Sequence, residues 1–216
     1  GFQIETNNFS YSYPDSKKLA LQNINLKIGS CESIAIIGGE SSGKTTLMYV
    51  ISGLLESYKG EIYFDGNSLR DVNKRLLRDR IGDSLSHEHI FEGTLFENLT
   101  LKRDGISSKE LQKVLEITEL KEFIAKLPDG LQTELIASGK GLSSAITKKV
   151  VLARSLMASP KLVVFDDFFF NLDAAFKKRL FKRLLKDKEL ACTFLIASHD
   201  PLVLDSAGNV YVFVNG

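Results

Sequence analysis

The stretch SIAIIGGESSGKTTLMYVISGLL, residues 33–55, joins three patterns in a row. A short apolar run, SIAIIG, is typical of a buried strand, and a loop rich in glycine and serine follows it. The next residues, LMYVISGLL, are apolar at helical spacing. A strand, a glycine-rich loop and a helix in this order begin an α/β unit.

The loop itself, GGESSGKT at 38–45, fits the pattern G-x-x-x-x-G-K-[ST]. Glycines let backbone N–H groups approach phosphate oxygens, and the positive end of the following helix favours the same anions. A structural glycine turn is the alternative, but the flanking strand and helix favour a phosphate loop. The pattern predicts that Lys44 reaches the β and γ phosphates and that the Thr45 hydroxyl holds Mg²⁺. The expected nucleotide-binding residues are Gly38, Gly39, Glu40, Ser41, Ser42, Gly43, Lys44, Thr45 and Thr46.

A second stretch, LVVFDDFFFNLD at 162–173, places two adjacent acids at the end of an apolar strand. Their mutual repulsion indicates a nearby cation. We expect Asp166 to bind Mg²⁺, as the Walker B acid of a nucleotide-hydrolysing protein does. In the alternative interpretation the acids only cap the next helix. The three phenylalanines at 168–170 could pack inward or against a partner, and the sequence leaves both open.

The rest of the chain alternates strands with helices, which predicts a mostly parallel, buried sheet. The segment EIYFDGNS at 61–68 has the Asp-Gly turn of a hairpin. Ser107 and Glu110 form a capping-box pattern that opens a helix ending before Pro128. In the basic run at 177–188 the apolar residues recur at helical spacing, so we expect its lysines and arginines to be the solvated face of a helix.

Composition sets limits on function. The 216 residues carry 28 basic and 27 acidic side chains, a net charge of +1, which does not favour nucleic acid as a partner. The two cysteines match no metal-ligand spacing and are expected to be reduced thiols. No apolar run approaches the ~20 residues that cross a bilayer. The chain starts and stops abruptly, so we expect a domain of a longer polypeptide.

The order GGESSGKTT, GTLFENL, LSSAITKKVVLARSLMASPKLVVFDD, NLD and IASHD resembles the nucleotide-binding domain of an ATP-binding cassette (ABC) transporter, over essentially all 216 residues. The pieces FEGTLFENL and LPDGLQTEL are similar to the exporter branch. The resemblance implies an α/β fold of the P-loop NTPase class, as one domain over 1–216. Its ABC-type ATPase core has a mixed sheet, an N-terminal antiparallel β subdomain and an inserted α-helical subdomain at about 86–158.

The resemblance also implies roles for single residues. Tyr13 would stack on the adenine ring, and His199 would be the switch histidine that contacts the γ-phosphate. Leu142 and Ser143 would open the signature motif, with Ser143 binding ATP across a dimer interface. Asp173 would belong to the D-loop. For Tyr13 and His199 the alternatives are ordinary strand packing and a structural histidine.

Two departures from the family pattern affect the signature motif and the general base of hydrolysis. The signature LSGGQ reads LSSAI here, and Ala145 would cost roughly 1 kcal/mol or more if its backbone needs positive φ. The catalytic glutamate after Walker B is Asp167, whose side chain is shorter by one C–C bond, about 1.5 Å. A general base must lie within hydrogen-bond reach of the attacking water, so slow hydrolysis is expected.

Two further departures concern the Q-loop and the membrane contact. The Q-loop glutamine, a Mg²⁺ contact, is replaced by Ser86, with His87 and His89 as possible substitutes. The acidic residue before the signature is Ala137, which puts coupling to a membrane domain in doubt.

The sequence therefore predicts the ATP-binding domain of an exporter-like transporter, at the cytoplasmic face of a membrane, which binds Mg-ATP and hydrolyses it slowly. The expected catalytic residues are Lys44, Asp167 and His199; the expected Mg²⁺ ligands are Thr45, Asp166 and Ser86. The expected partners are a transmembrane domain and a second nucleotide-binding domain, in a homodimer or a heterodimer. The main alternative is an ATP-responsive switch with little or no hydrolysis. Soluble ABC ATPases acting on DNA or ribosomes, and kinases, are disfavoured because their inserts, tandem cassettes and lids are absent from the sequence.

Overall fold

The computed structural model of the protein describes residues 1–85 and 89–214. The strands are β1 Ile4–Tyr11, β2 Leu21–Ile28, β3 Ser33–Gly38, β4 Lys59–Phe64, β5 Asn67–Ser68, β6 Ile81–Asp83, β7 Gly93–Thr94, β8 Glu134–Leu135, β9 Leu162–Asp166, β10 Thr193–Ala197 and β11 Asn209–Phe213. The helices are α1 Lys44–Ile51, α2 Lys74–Arg78, α3 Leu95–Thr100, α4 Ser108–Ile117, α5 Lys121–Ala125, α6 Ser144–Leu156, α7 Ala174–Phe181 and α8 Pro201–Ser206.

The chain divides into two compact units. The first unit combines Gly1–Leu85 with Lys161–Gly216 and holds two sheets. Its five-stranded sheet has the order β11-β3-β10-β9-β6 and is parallel throughout; its four-stranded sheet, β2-β1-β4-β5, is antiparallel. The predicted α/β fold, with an antiparallel N-terminal part, is confirmed.

Apolar side chains of both sheets and of α1 form the core of this unit. Leu47, Met48 and Val50 of α1 are fully buried, as are Ile34 and Ile36 of β3. Because α1 follows β3 directly through the glycine-rich loop, its N-terminus is held at the carboxyl end of the sheet. None of the helices within residues 1–85 and 89–214 is long and apolar enough to cross a membrane.

The hairpin predicted at 61–68 is confirmed, since Phe64 pairs with Asn67 across Asp65 and Gly66. Both turn residues have positive φ, 48° and 80°, as a type I′ turn requires. In the basic segment Phe176, Leu180 and Leu184 are buried, which confirms the predicted apolar face. Helix α7 ends at Phe181, and the chain continues as a π-helical turn over Lys182–Lys186.

The second unit, Ser86–Pro160, is mainly helical and is described from residue 89. The helix predicted to open at Ser107 and to end before Pro128 is two helices, α4 and α5. The chain turns between them at Glu119, with φ 55°, and Leu120 is fully buried. The capping box is half formed: the Ser107 hydroxyl accepts from the Glu110 N–H. The Glu110 carboxylate instead accepts from the Ser159 N–H at 2.6 Å.

Candidate nucleotide-binding site

The parallel register brings three predicted segments to one edge of the five-stranded sheet. Ala197 of β10 pairs with Asp166 of β9 on one side and with Ile36 of β3 on the other. The carboxyl ends of these strands therefore meet, and ligands of open α/β sheets bind at that edge. The phosphate loop, the acid pair and His199 lie at these three strand ends.

The phosphate loop needs glycine where it approaches other backbone. Gly43, the N-cap of α1, has φ 93°, and a Cβ there would lie 2.5 Å from the Ala20 carbonyl oxygen. No side chain caps α1, and the first N–H groups of a helix lack intrahelical acceptors. A Cβ on Gly39 would meet open space. The loop thus presents backbone donors on an open side, which suits an anion such as a phosphate.

The Lys44 ammonium group folds back over this loop. Its Nζ donates to the carbonyl oxygens of Gly38 and Gly39, at 2.7 and 2.9 Å, and to the Ser42 hydroxyl at 3.3 Å. Ser42 is buried, whereas Glu40 and Ser41 are exposed at the tip of the loop. A positive charge held against the loop backbone is available to phosphate oxygens that enter it.

Thr45 and Asp166 bring a hydroxyl and a carboxylate together beside the loop. The Thr45 hydroxyl donates to Asp166 Oδ2 at 2.6 Å. Burial raises the pKa of the Asp166 carboxyl, and the neighbouring Asp167 raises it further, against opposing effects of Thr45 and Lys44. An ionised, half-buried Asp166 would therefore be stabilised by a cation.

These oxygens fit Mg²⁺ bound together with phosphates. Mg²⁺ commonly uses one or two protein ligands and completes its shell with water and substrate phosphates. Within residues 1–85 and 89–214 no group of three or more His, Cys, Asp or Glu could hold a metal ion, so a metal here would depend on such a mixed shell. Of the sequence-predicted contacts, Ser86 and its substitute His87 lie outside the described residues. His89 is described in the second unit, where its carbonyl oxygen accepts from Arg154 at 3.4 Å.

Asp167 and His199 line an open pocket of about 840 Å³. Asp167 is exposed, has φ 45° and is anchored by its N–H, which donates to the Ala197 carbonyl at 2.9 Å. The His199 ring Nε2 lies 3.0 Å from the Gly38 carbonyl oxygen. Both predicted catalytic residues therefore border one pocket, and His199 also contacts the phosphate loop.

Tyr13 lies against the other side of the phosphate loop. Its hydroxyl is 3.1 Å from the Thr46 hydroxyl, and its ring meets the Tyr11 ring edge-on at 5.2 Å. Tyr13 and residues 41–46 line a pocket of about 280 Å³. The ring is 41% exposed, so it is accessible to a planar base beside the loop.

The three phenylalanines after the acid pair divide between core and surface. Phe169 is 1% exposed and packs edge-on against Phe165 at 5.0 Å and Phe181 at 4.8 Å. Phe168 is also buried and stacks on Phe165. Phe170 is 72% exposed and borders the pocket of Asp167. Two of the rings thus fix the turn that carries Asp167, and the third is directed outward.

The altered signature lies in the second unit, at the start of α6. The Ser143 hydroxyl accepts from the Ile146 N–H at 3.3 Å and caps the helix. Ala145 is in the first turn of α6 and is not among the positive-φ residues. The strain considered for its Cβ therefore does not apply in this conformation.

Sequence reasoning missed an ion pair between Lys177 of α7 and Asp200, which precedes α8. Lys177 was expected on a solvated face, but its side chain is only 13% exposed. The sequence does show that Asp200 directly precedes Pro201, a pattern typical of an N-cap residue and the first residue of a helix. This pattern indicates a fixed position for Asp200.

A phosphate loop, a hydroxyl and a carboxylate at the carboxyl edge of a parallel sheet define a P-loop nucleotide-binding protein. The family model described as "ABC transporter" matches residues 21–169. The chain belongs to the ABC transporter family, of which it is the ATP-binding, P-loop ATPase domain.

Individual relatives extend this comparison. The chain is 30% identical to the ATP-dependent lipid A-core flippase of Desulfotalea psychrophila, over 99% of the chain and 37% of the flippase. It is 31% identical to the mating factor M secretion protein mam1 of Schizosaccharomyces pombe, over 99% of the chain and 16% of that protein. A solved structure, of a bacterial Atm1-family ABC exporter with ATP bound, has a TM-score of 0.89 at 23% identity over 99% of the chain and 37% of the exporter chain. The chain thus spans well under half the length of these proteins.

Proposed function

We propose that this domain binds Mg-ATP at the phosphate loop and hydrolyses it slowly to drive export of a substrate across a membrane. The observation that carries the proposal is the 2.6 Å contact between the Thr45 hydroxyl and Asp166, beside Lys44 and the uncapped start of α1. Mg²⁺ held by Thr45 and Asp166 would neutralise charge on the β and γ phosphates. Lys44 would bind the same phosphates, and Tyr13 would stack on the base.

Hydrolysis would use Asp167 and His199. Asp167 would accept a proton from the attacking water, and His199 would donate a hydrogen bond to the γ-phosphate. Asp167 is exposed and its side chain is one bond shorter than that of glutamate, so as general base it would reach less far toward the attacking water. The expected rate is low for that reason.

The partners follow from the family. Transport requires a transmembrane domain and a second nucleotide-binding domain, with this domain at the cytoplasmic face of the membrane. The relatives' length supports this assembly, since the flippase and the secretion protein are much longer than this chain. In such a dimer Ser143 would contact ATP bound to the other domain.

ATP binding with and without Mg²⁺ tests the first part of the proposal. Equilibrium binding to the purified chain should be tighter with Mg²⁺, and Thr45→Ala should remove most of that difference. Lys44→Ala should weaken binding about tenfold or more, because charge-assisted bonds to phosphate contribute about 1.5–3 kcal/mol. Lys59→Ala, an exposed lysine on β4, is the matched control and should bind ATP normally. Equal binding by wild type and Lys44→Ala would refute the site.

A second candidate is an ATP-responsive switch with little hydrolysis. The replacement of glutamate by Asp167, together with Ala145 and Ile146 in the signature, favours it. Nucleotide would then shift the population toward a closed dimer. Size-exclusion chromatography with and without ATP tests this function, and a monomer under every nucleotide would argue against it.

A further inference from the structure

The ion pair between Lys177 and Asp200 is mostly buried, and both residues border the pocket of Asp167 and His199. The two side chains are 13% and 15% exposed, and they join α7 to the start of α8. Removing one partner leaves a mostly buried charge without its counter-charge, which is costlier than losing an exposed pair. The pair therefore restrains the two segments that it connects.

Asp200 is bonded at several points around the turn that carries His199. One carboxylate oxygen pairs with Lys177, while the other accepts from the Leu202 N–H at 2.9 Å and caps α8. The Asp200 N–H donates to the Ser198 hydroxyl at 3.1 Å. The Ser198 N–H in turn donates to the Ile36 carbonyl of β3 at 3.2 Å. His199 thus stands between two residues that are both held in place.

The backbone at the lysine end of the pair is also held in place. The Lys177 N–H donates to the Asp173 carbonyl at 2.9 Å in the first turn of α7, and the Asp173 carboxylate caps that helix through the Phe176 N–H at 2.8 Å. These backbone bonds fix where the Lys177 side chain begins, and its ammonium group pairs with Asp200. The connection therefore runs from Asp173 through Lys177 and Asp200 to the His199 turn.

We propose that Lys177 is a positioning residue of the hydrolytic site, which acts through Asp200 to hold His199 beside the phosphate loop. This inference rests on the proposed function. Its geometric basis is the 3.0 Å contact between His199 Nε2 and the Gly38 carbonyl oxygen, together with the position of His199 in the turn between Ser198 and Asp200. Lys177 contributes to the rate without itself touching ATP.

Steady-state kinetics of the purified chain separate positioning from binding. Lys177→Met should lower kcat about tenfold or more, because displacement of a catalytic group by about 1 Å can cost ~100-fold. The KM for ATP should stay within about twofold, since Lys44 and Tyr13 are untouched. Lys177→Arg should restore kcat to within about threefold of wild type. Lys178→Met, which removes an exposed lysine from the same helix, should be unchanged.

A second variant keeps the test valid if Lys177→Met folds poorly. Asp200→Asn retains an N-cap residue for α8 while removing the charge, and it should lower kcat to a similar extent. The double variant should lose little more than either single one, because the two side chains act as one unit. Additive losses, or a Lys178→Met defect equal to that of Lys177→Met, would overturn the proposal.

A spectroscopic readout distinguishes failure of this inference from failure of the proposed hydrolysis. The chain has three histidines, so the His199 ring signals in NMR spectra can be assigned with a His199→Gln variant. These signals should shift in Lys177→Met and not in Lys178→Met, whatever the turnover is. Turnover at the Lys44→Ala level with a shifted His199 would refute hydrolysis alone, and an unshifted His199 would refute the positioning role.

Discussion

Replacing Asp167 by Glu should raise the rate of ATP hydrolysis by roughly 10- to 100-fold. The longer side chain moves the carboxylate by about 1.5 Å, and misplacement of a reacting group by about 1 Å can cost ~100-fold. Asp167 is exposed and borders an 840 Å³ pocket, so the added methylene meets no packed neighbour. His199 and the phosphate loop remain in place, and only the reach of the base changes.

The same substitution should destabilise the fold slightly. Asp167 has φ 45°, a left-handed conformation that aspartate adopts several-fold more readily than most residues. Glutamate there should lose about 1 kcal/mol of stability, which corresponds to a Tm decrease of about 2–4 °C for a chain of this size. We therefore expect Asp167→Glu to hydrolyse ATP faster than wild type and to melt at a lower temperature.

Phosphate release at saturating Mg-ATP measures the effect, with Lys44→Ala as the blank. Asp167→Asn is the matched control, because it keeps the length of aspartate without a base and should fall to the blank. An Asp167→Glu rate equal to wild type, in a variant that melts cooperatively, would refute the argument from the reach of the base. A rate increase in Asp167→Asn would refute the assignment of Asp167 as the base.

Three further predictions concern protein stability and recognition of the adenine base. Phe169→Ala should lower the free energy of unfolding by about 3–5 kcal/mol, whereas Phe170→Ala, at an exposed position, should change it by about 0.5 kcal/mol or less; similar denaturation curves for the two variants would contradict the packing described. Asp166→Asn should raise Tm at neutral pH without Mg²⁺ or nucleotide. Burial raises the pKa of Asp166, so its ionised form destabilises the folded state at pH values above that pKa. This destabilisation disappears as the pH falls below the ordinary pKa range of aspartate. A Tm difference between Asp166→Asn and wild type that widens in acid would contradict this sign. Tyr13→Ala should weaken ATP binding by about 1–3 kcal/mol, the contribution of one stacked base, while Tyr13→Phe, which loses only the bond to Thr46, should bind within a few-fold of wild type in the same titration.

The parts of the site that lie at the ends of strands were predictable from the sequence. The phosphate loop and Asp166 each come directly after an apolar run. In a parallel sheet the strands' carboxyl ends share an edge, so a local pattern sufficed to place them together.

Other features depend on contacts between distant segments. The left-handed turn at Asp167 interrupts the alternation of the strand, which is why the sequence could not show that Phe169 is buried and Phe170 is exposed. The chain turns at Glu119, next to the buried Leu120, where local spacing alone predicts a continuous helix. Lys177 pairs with Asp200, which lies 23 residues later in the chain. Helical spacing alone therefore wrongly predicts that Lys177 is exposed to solvent.

Phosphate release from Mg-ATP by the purified chain, compared with Lys44→Ala, tests the central claim most directly. Turnover should be slow, clearly above that of Lys44→Ala, and dependent on Mg²⁺. Turnover equal to that of Lys44→Ala, in a chain that still binds ATP, would contradict hydrolysis by this domain and favour the nucleotide switch.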